Sequence, residues 1–335
     1  MNMRKWMQEV MDAPRKKAFP VLSFPAVQLM GITVAQLVYD SDLQAKAMKL
    51  VADRCDSLAS VSMMDLSVEA EAFGSQIHVS DDEVPTVLGS IVVEPEDAEA
   101  LQVPQFGAAR TGVYVEAIKK AVELITDRPV FAGVIGPYSL AGRLMGMNEI
   151  FFNCFDEPEM VKLVLDKCTA FIIEYIKAYK AVGAHGVVVA EPAAGLLSAE
   201  MMEEFSAPYM KRIVDAVQDD EFALVYHNCG NSTTTMTEEM YAIGAMAYHF
   251  GDAVDMKFMC DNMPEDVLVM GNVSPSKTFQ GGTPESMRAE TLDIMEKCCV
   301  HKNFVISSGC DIPPESPWEN IDAFYAAVEE YYEKH

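Results

Sequence analysis

The stretch GVVVAEPAAGLLSAEMMEEFSAPYMKRIVDAVQDDEFALVYHNCG (186–230) decides the fold class. It begins with the uncharged, valine-rich run Gly186–Ala190, which has the length of a buried strand. A long amphipathic segment follows over Ser198–Val217, and Ser198 is a typical residue to precede a helix. The apolar run Ala223–Tyr226 then ends the unit. Strand, helix and strand in this order predict two neighbouring strands of a parallel sheet.

The same alternation runs along the chain and gives eight strand candidates. The other six are Ala26–Met30, Leu58–Met64, Val130–Ile135, Ala245–Phe250, Val267–Gly271 and Phe304–Ser308. Eight strands, each followed by a helical pattern, fit a (β/α)8 barrel better than a doubly wound sheet. We therefore predict an α/β protein with one TIM barrel domain over residues 1–335. Residues 1–24 are predicted as a helical lead-in, and residues 74–104 as an excursion between the second and third strands.

The charge balance excludes several classes of partner. The chain has 51 acidic and 25 basic side chains, which leaves a net charge of −26 over 335 residues. A field of that sign repels nucleic acid and anionic membrane surfaces. No uncharged apolar window approaches the roughly 20 residues of a membrane span. Eight cysteines without a secretory leader favour a reducing compartment, so we predict a cytoplasmic protein with neither a nucleic-acid nor a membrane partner.

Three residues with metal-binding side chains follow predicted strands. His227 and Cys229 come after the fifth strand and Cys310 after the eighth, and barrel enzymes carry their active residues at these strand ends. Side chains two apart on an extended segment point the same way, and the ends of the fifth and eighth strands face each other across a closed barrel. One His and two Cys with an open fourth position is the pattern of catalytic zinc. A free Cys is also a common buried packing residue, so from these residues alone both interpretations stay open.

At these residues the sequence resembles the uroporphyrinogen decarboxylase superfamily, and within it the zinc-dependent methylcobamide:coenzyme M methyltransferase branch. In that branch a His-X-Cys pair is followed some 80 residues later by a third ligand, as Cys310 follows Cys229 here. The similarity covers about Pro25 to Tyr332. The other similar segments are VEAEAFG (68–74), GPYSLA (136–141), EPAAGLLS (191–198), GNV (271–273) and CDIPP (310–314).

The resemblance implies both a fold and an activity. It implies a (β/α)8 barrel in which His227, Cys229 and Cys310 bind Zn²⁺. It also implies transfer of a methyl group, as in one-carbon metabolism, from a methylated corrinoid held by a small corrinoid-binding protein. The acceptor would be coenzyme M, another thiol or a pterin.

Two other functions remain open at the sequence level. One is decarboxylation of a porphyrinogen on the same barrel. The decarboxylases hold their polyanionic substrate with an arginine-rich segment after the first strand, whereas FPAVQLMGIT (24–33) has no arginine. Only Arg110, Arg128 and Arg143 lie in the middle of the chain to replace it. The other alternative is a non-catalytic corrinoid-handling subunit in which a closed four-ligand zinc site only braces two loops.

Two carboxylates at strand ends are further candidates for the site. Glu191, after the fourth strand, and Asp65, after the second, would orient a ligand or act as a resting fourth zinc ligand. Capping the next helix is the equally simple alternative. Glu69 and Glu71 are predicted to hydrogen-bond the zinc-binding His, as carboxylates around metal sites often do.

The remaining candidates would contact a substrate or cofactor. Tyr138 and Ser139 begin a predicted helix, and the free N–H groups at such an end bind anions. Asn272 follows the seventh strand and either contacts substrate or ties down its loop. His249, at the end of the sixth strand, is interpreted as a structural histidine.

Overall fold

The computed structural model describes residues 1–335, and it is built around one sheet of seven parallel strands. Each strand pairs with the next one in the order β1-β4-β5-β6-β7-β8-β9. Their bounds are β1 Ser60–Val61, β4 Val130–Ile135, β5 Gly186–Ala190, β6 Ala223–Asn228, β7 Ala247–Phe250, β8 Leu268–Val273 and β9 Phe304–Ser308.

Seven of the eight strand candidates overlap a strand of this sheet, and the first is wrong. Strands β6 and β8 extend two residues beyond the predicted ends, so His227 and Asn272 lie within strands rather than after them. Ala26–Met30 forms a short helix, α2, that begins after Pro25 and ends at Gly31 with φ 63°. A five-residue apolar run fits a strand and a helix equally well by periodicity. The glycine in left-handed conformation directly after the run is a helix-ending signal, and it is this signal that identifies the run as a helix.

An irregular segment lies where the first strand of a barrel would be. Residues 18–23 run between the two edge strands of the sheet: Phe19 N–H donates to Ile306 O of β9 (3.0 Å), and Leu58 N–H donates to Ala18 O (2.8 Å). Ser23 Oγ donates to Val61 O of β1 (2.6 Å). Pro20 has no N–H to donate, which prevents a regular ladder here. The predicted lead-in is therefore helical only over Met3–Asp12, and its second part bridges the sheet edges.

Sixteen helices surround and connect the strands. They are α1 Met3–Asp12, α2 Ala26–Met30, α3 Val34–Val38, α4 Ser41–Arg54, α5 Val68–Ala72, α6 Pro95–Ala100, α7 Thr111–Leu124, α8 Pro137–Met145, α9 Met147–Asp156, α10 Pro158–Ala181, α11 Ala199–Phe205, α12 Ala207–Val217, α13 Thr237–Ala242, α14 Met256–Asn262, α15 Pro284–Cys298 and α16 Trp318–Lys334. None of them combines the length and the apolar character that crossing a bilayer requires.

Residues 74–104, the predicted excursion, lie outside the seven-stranded sheet. They contain an antiparallel hairpin of β2 Gln76–His78 and β3 Thr86–Leu88, followed by helix α6. Two β strands that pair only with each other gain little stability in water. The hairpin therefore depends on the packing of neighbours such as Val87 against the main core.

The inside of the curled sheet is apolar at one end and polar at the other. Phe131, Val188 and Val225 belong to an inner core that also includes Met3 and Met7 of α1. Met3 N–H donates to Asp220 O, just before β6, so α1 covers the end of the sheet where the strands begin. The opposite end, where the strands finish, carries the buried polar residues of the next section.

Candidate metal centre

The structure brings together the three predicted zinc ligands. His227 is the last residue but one of strand β6 and is buried, with 3% of its surface exposed. Cys229 is partly exposed and follows the strand. Cys310, also partly exposed, follows β9 after Gly309. The Cys310 thiol lies next to Cys229 and His227. Two strand ends far apart in the chain therefore supply one cluster.

The two thiols share a hydrogen bond that makes them unequal. This contact, together with burial, raises the pKa of Cys310 to about 12. The same hydrogen bond lowers the pKa of Cys229. Cys229 is therefore the thiol that ionises first.

Cys310 lies beside the other two side chains, but the three do not form a finished ligand shell. No group of three or more His, Cys, Asp or Glu side chains in the chain has the arrangement to hold a metal ion as it stands. The zinc ligand set predicted from the sequence is therefore argued as a proposal below.

The hydrogen bonds of the His227 imidazole leave one ring nitrogen available to a metal ion. Its Nδ1 lies 2.7 Å from Nδ1 of His249 and 3.2 Å from the His249 carbonyl oxygen. Its Nε2 is buried and has no hydrogen-bond partner. An unpartnered buried ring nitrogen opposite a hydrogen-bonded one is the arrangement of a metal-binding histidine. His249 therefore takes the place that Glu69 and Glu71 were predicted to hold.

The backbone around Cys229 is packed too closely to admit another side chain. A Cβ placed on Gly251, in the loop after β7, would lie 2.2 Å from Cys229 Cβ. Asn272 Nδ2 donates to Gly251 O (2.9 Å) and Val254 O (2.7 Å), which fixes this loop. Of the two roles predicted for Asn272, tying down a loop is the one in which its amide N–H groups act here.

Glu191 binds the start of helix α8. Its carboxylate oxygens accept from Tyr138 N–H (2.8 Å), Ser139 N–H (2.9 Å) and Ser139 Oγ (2.7 Å). Complete burial raises the pKa of Glu191 to about 7, against the hydrogen bonds that lower it. The expectation that these amides receive a substrate anion is corrected: they bind the chain's own carboxylate. Tyr138 and Ser139 thus position Glu191 instead.

Asp65 is bound into a separate buried network. It forms an ion pair with Arg110 and accepts hydrogen bonds from Tyr114 Oη (2.7 Å) and Ser67 Oγ (2.6 Å). Arg110 also pairs with Glu71, at 2.6 Å between Nε and Oε2. Both oxygens of Asp65 have partners here, so this structure does not place it as a zinc ligand. Its structural role is to neutralise Arg110.

Three features of the site escaped sequence reasoning. His249 is structural as predicted, but its hydrogen bond to His227 was not predicted. Ser307 on β9 and Gly251 after β7 were not singled out at all. Each acts through a neighbour on another strand, and only the register of the sheet, such as His227 opposite His249, reveals such pairs.

Comparisons with known proteins agree with the resemblance seen at the zinc-type residues. The chain is 31% identical to "Methylcobamide:CoM methyltransferase MtbA" of Methanosarcina acetivorans over 80% of this chain and 78% of the relative. It is 24% identical to the "Methylated-thiol--coenzyme M methyltransferase" of Methanosarcina mazei over 87% and 78%. It is also 30% identical to a uroporphyrinogen decarboxylase of Prochlorococcus marinus over 63% and 62%.

A solved structure shares the fold over almost the whole length. It is described as a methyltransferase from Methanosarcina mazei, has 24% sequence identity, covers 99% of this chain and 98% of its own, and has a TM-score of 0.85. The family model "Uroporphyrinogen decarboxylase (URO-D)" matches residues 20–331. The family predicted from the sequence is confirmed: this chain belongs to the uroporphyrinogen decarboxylase family.

Proposed function

We propose that the protein is a zinc-dependent methyltransferase that moves a methyl group from a methylated corrinoid to a thiol such as coenzyme M. The observation that carries this proposal is the buried, unpartnered Nε2 of His227 beside the thiols of Cys229 and Cys310. The relatives named as methylcobamide:CoM methyltransferases support it. The methyl donor would be presented at the same end of the sheet by a small corrinoid-binding protein.

The proposed metal site requires the sheet to close into a barrel. We infer that residues 18–23 complete a closed barrel of the (β/α)8 type, because they hydrogen-bond both edge strands of the sheet. In such a barrel the ends of β6 and β9 face each other across the mouth. His227 and Cys229 then reach the metal from one side, and Cys310 from the other.

The ligand set suits activation of a thiol. Zn²⁺ bound by His227, Cys229 and Cys310, with its fourth position open, would lower the pKa of a bound thiol and hold it as a nucleophilic thiolate. Cys229 and Cys310 supply two negative charges and His227 a neutral ring, so the ligand set is anionic and leaves an acceptor thiolate electron-rich. Glu191 and Asp65 stay outside this shell because their oxygens are already hydrogen-bonded. They position α8 and Arg110.

The chain offers little cationic surface for a porphyrinogen. The segment 24–33 has no arginine, and Arg110 is neutralised by two carboxylates. Binding a polyanion there would require unpaired positive charge. Relatives of both activities match this chain, so these residues, rather than family membership, favour methyl transfer.

The metal site is tested by the zinc content of protein prepared without chelator. We expect about one equivalent of zinc, as three protein ligands with an open position bind one ion. Cys310→Ser should lose most of it. Cys299→Ser, at a partly exposed cysteine after α15, is the matched control and should keep it. Equal zinc content in both variants would remove Cys310 from the site.

Methyl transfer is tested separately with the zinc-loaded protein. Addition of coenzyme M to methylcobalamin and protein should change the corrinoid absorbance as the methyl group leaves cobalt, and Cys310→Ser should abolish the change. If zinc is present but coenzyme M, homocysteine and simpler thiols are all inert, the protein is a subunit with a structural zinc. X-ray absorption would then show four protein ligands instead of three.

A further inference from the structure

Ser307 fixes the direction of a chain of hydrogen bonds behind the candidate metal site. Its Oγ lies 2.6 Å from the carbonyl oxygen of Phe19 and 2.7 Å from Nε2 of His249. A carbonyl oxygen only accepts, so the single hydroxyl proton of Ser307 is directed to Phe19. The hydroxyl oxygen is then left to accept, and His249 must donate from Nε2.

The proton on Nε2 of His249 in turn determines which ring nitrogen of His227 carries a proton. The His249 ring is fully buried, and no carboxylate contacts it. A charged ring is disfavoured there, because a buried charge without a partner is poorly solvated. In the neutral ring with its proton on Nε2, Nδ1 accepts. The 2.7 Å contact between the two Nδ1 atoms is therefore a hydrogen bond donated by His227.

A second contact requires the same proton position. Nδ1 of His227 also lies 3.2 Å from the carbonyl oxygen of His249, which only accepts. Both neighbours of this nitrogen therefore call for a proton on it. In neutral His227 the other nitrogen, Nε2, then carries a bare lone pair, and it is this atom that is buried without a partner.

We propose that His249 and Ser307 are positioning residues that hold His227 in the tautomer with a free Nε2 lone pair before any metal binds. The chain crosses three strands, from β9 through β7 to β6, and ends on Phe19 in the segment 18–23 that bridges the sheet edges. The hydrogen bonds that link the two edges of the sheet therefore also help to fix the tautomer of His227. The inference rests on the proposed function only in taking Nε2 as the metal-binding atom.

The tautomer is measured on metal-free protein labelled with ¹⁵N in its histidines, of which there are six. Long-range ¹H–¹⁵N NMR distinguishes the protonated from the bare ring nitrogen. We expect His227 to carry its proton on Nδ1 in the natural sequence and in Ser307→Thr, which keeps the hydroxyl. Ser307→Ala should give mixed tautomers at His249 and His227. His78→Gln, on the hairpin strand β2, identifies the NMR signal of His78. It is also the control for replacing a histidine outside the candidate site.

Zinc affinity is the second readout, measured by competition with a chelator. Loss of a residue that orients a metal ligand typically weakens binding about 10–100-fold. We expect that loss for Ser307→Ala, recovery in Ser307→Thr and no change for His78→Gln. A structural role alone would lower the melting temperature without changing the tautomer.

The outcomes separate this inference from the proposed function. A proton on Nε2 of His227 in the natural sequence overturns the inference, and so does a Ser307→Ala protein with unchanged tautomers. This first result needs no variant to fold. If the tautomer is as expected but no zinc binds, the inference stands and the zinc-dependent function fails.

Discussion

Arg110 is a buried charge that pairs with two carboxylates. Its side chain is 3% exposed and pairs with the fully buried Asp65 as well as with Glu71. Removing one partner of a buried ion pair leaves the other charge unsolvated, which costs about 3–5 kcal/mol. We therefore expect Arg110→Ala to lower the free energy of unfolding by that amount, as measured by urea denaturation.

The control for Arg110 is an arginine in an exposed ion pair. Arg4 pairs with Asp220 at 2.9 Å, and both side chains are about two-thirds exposed, at 65% and 66%. Exposed pairs contribute about 0–1 kcal/mol, so Arg4→Ala should change the unfolding free energy little. Similar losses in the two variants would mean that Asp65 finds water or another partner when Arg110 is gone.

Glu69 makes stability depend on pH. It is fully buried, with Oε1 accepting from Ile135 N–H (3.1 Å) and Oε2 without a partner. Burial raises its pKa to about 8 from 4.5. The folded state therefore keeps a proton that the unfolded state releases above about pH 4.5. The resulting stability is complete below pH 4.5 and is lost as the pH rises to about 8.

Glu69→Gln removes this ionisation while keeping an oxygen for Ile135. We expect the unfolding free energy of the natural sequence to fall by a few kcal/mol, roughly, between pH 5 and pH 9. The variant should lose less over the same range. Glu191, whose pKa burial raises to about 7, accounts for part of the remaining slope. Glu123→Gln, at an exposed position of α7, should leave the slope unchanged. An unchanged slope in Glu69→Gln would show that Glu69 is ionised in the fold.

Sequence reasoning could propose the candidate ligands but not the residues that hydrogen-bond to them. His227, Cys229 and Cys310 could be predicted as candidates because strand ends and side-chain alternation are local properties of the chain. His249 and Ser307 depend on which residues of β6, β7 and β9 meet across the sheet. That information lies in the register of the strands, which hydrophobic periodicity does not contain.

At the scale of elements, the loop after β7 sets the position of β6 and its cysteine. Gly251 contacts Cys229 so closely that an added Cβ would lie 2.2 Å from Cys229 Cβ and 2.7 Å from its Cα. Gly251→Ala must displace the backbone of one segment, and overpacking of this kind costs about 1–3 kcal/mol. We expect a lower melting temperature together with weaker zinc binding in chelator competition.

A glycine in open surroundings provides the matched control. A Cβ on Gly112, in helix α7, would find its nearest neighbour at 3.7 Å, an ordinary contact. Gly112→Ala should stabilise the protein by up to about 1 kcal/mol, because alanine is the better helix former. If Gly251→Ala binds zinc as tightly as Gly112→Ala does, the loop adapts without moving Cys229.

Near the start of the chain, the apolar pattern and the turn-forming residues predict different secondary structures. Some of the apolar runs that form strands, such as Gly186–Ala190, are rich in valine. Ala26–Met30 is equally apolar but ends at Gly31, and it forms a helix. The segment that lies between the two edge strands, residues 18–23, is interrupted by Pro20 and has the sequence pattern of a loop. Its place between β9 and β1 is set by burial and hydrogen bonds across the whole fold.

At the scale of the whole molecule, one end of the sheet is apolar and the other is polar. Helix α1 and the apolar interior close the end where strands begin, so polar chemistry is confined to the end where they finish. That end also carries the three proposed ligands, two from β6 and one from β9. Zinc bound at the proposed site would join the middle of the sheet to its edge.

Such a cross-connection would make stability depend on the metal. A ligand that binds only the folded state stabilises it by about 2.7 kcal/mol at a concentration 100 times its dissociation constant. We expect a strong chelator to lower the melting temperature of the zinc-loaded protein and to speed hydrogen exchange after β9, around residues 309–312. Cys310→Ser should show neither effect, because its metal is already lost, whereas Cys299→Ser should show both. A melting temperature that the chelator leaves unchanged in the natural sequence would mean that zinc does not join β6 to β9.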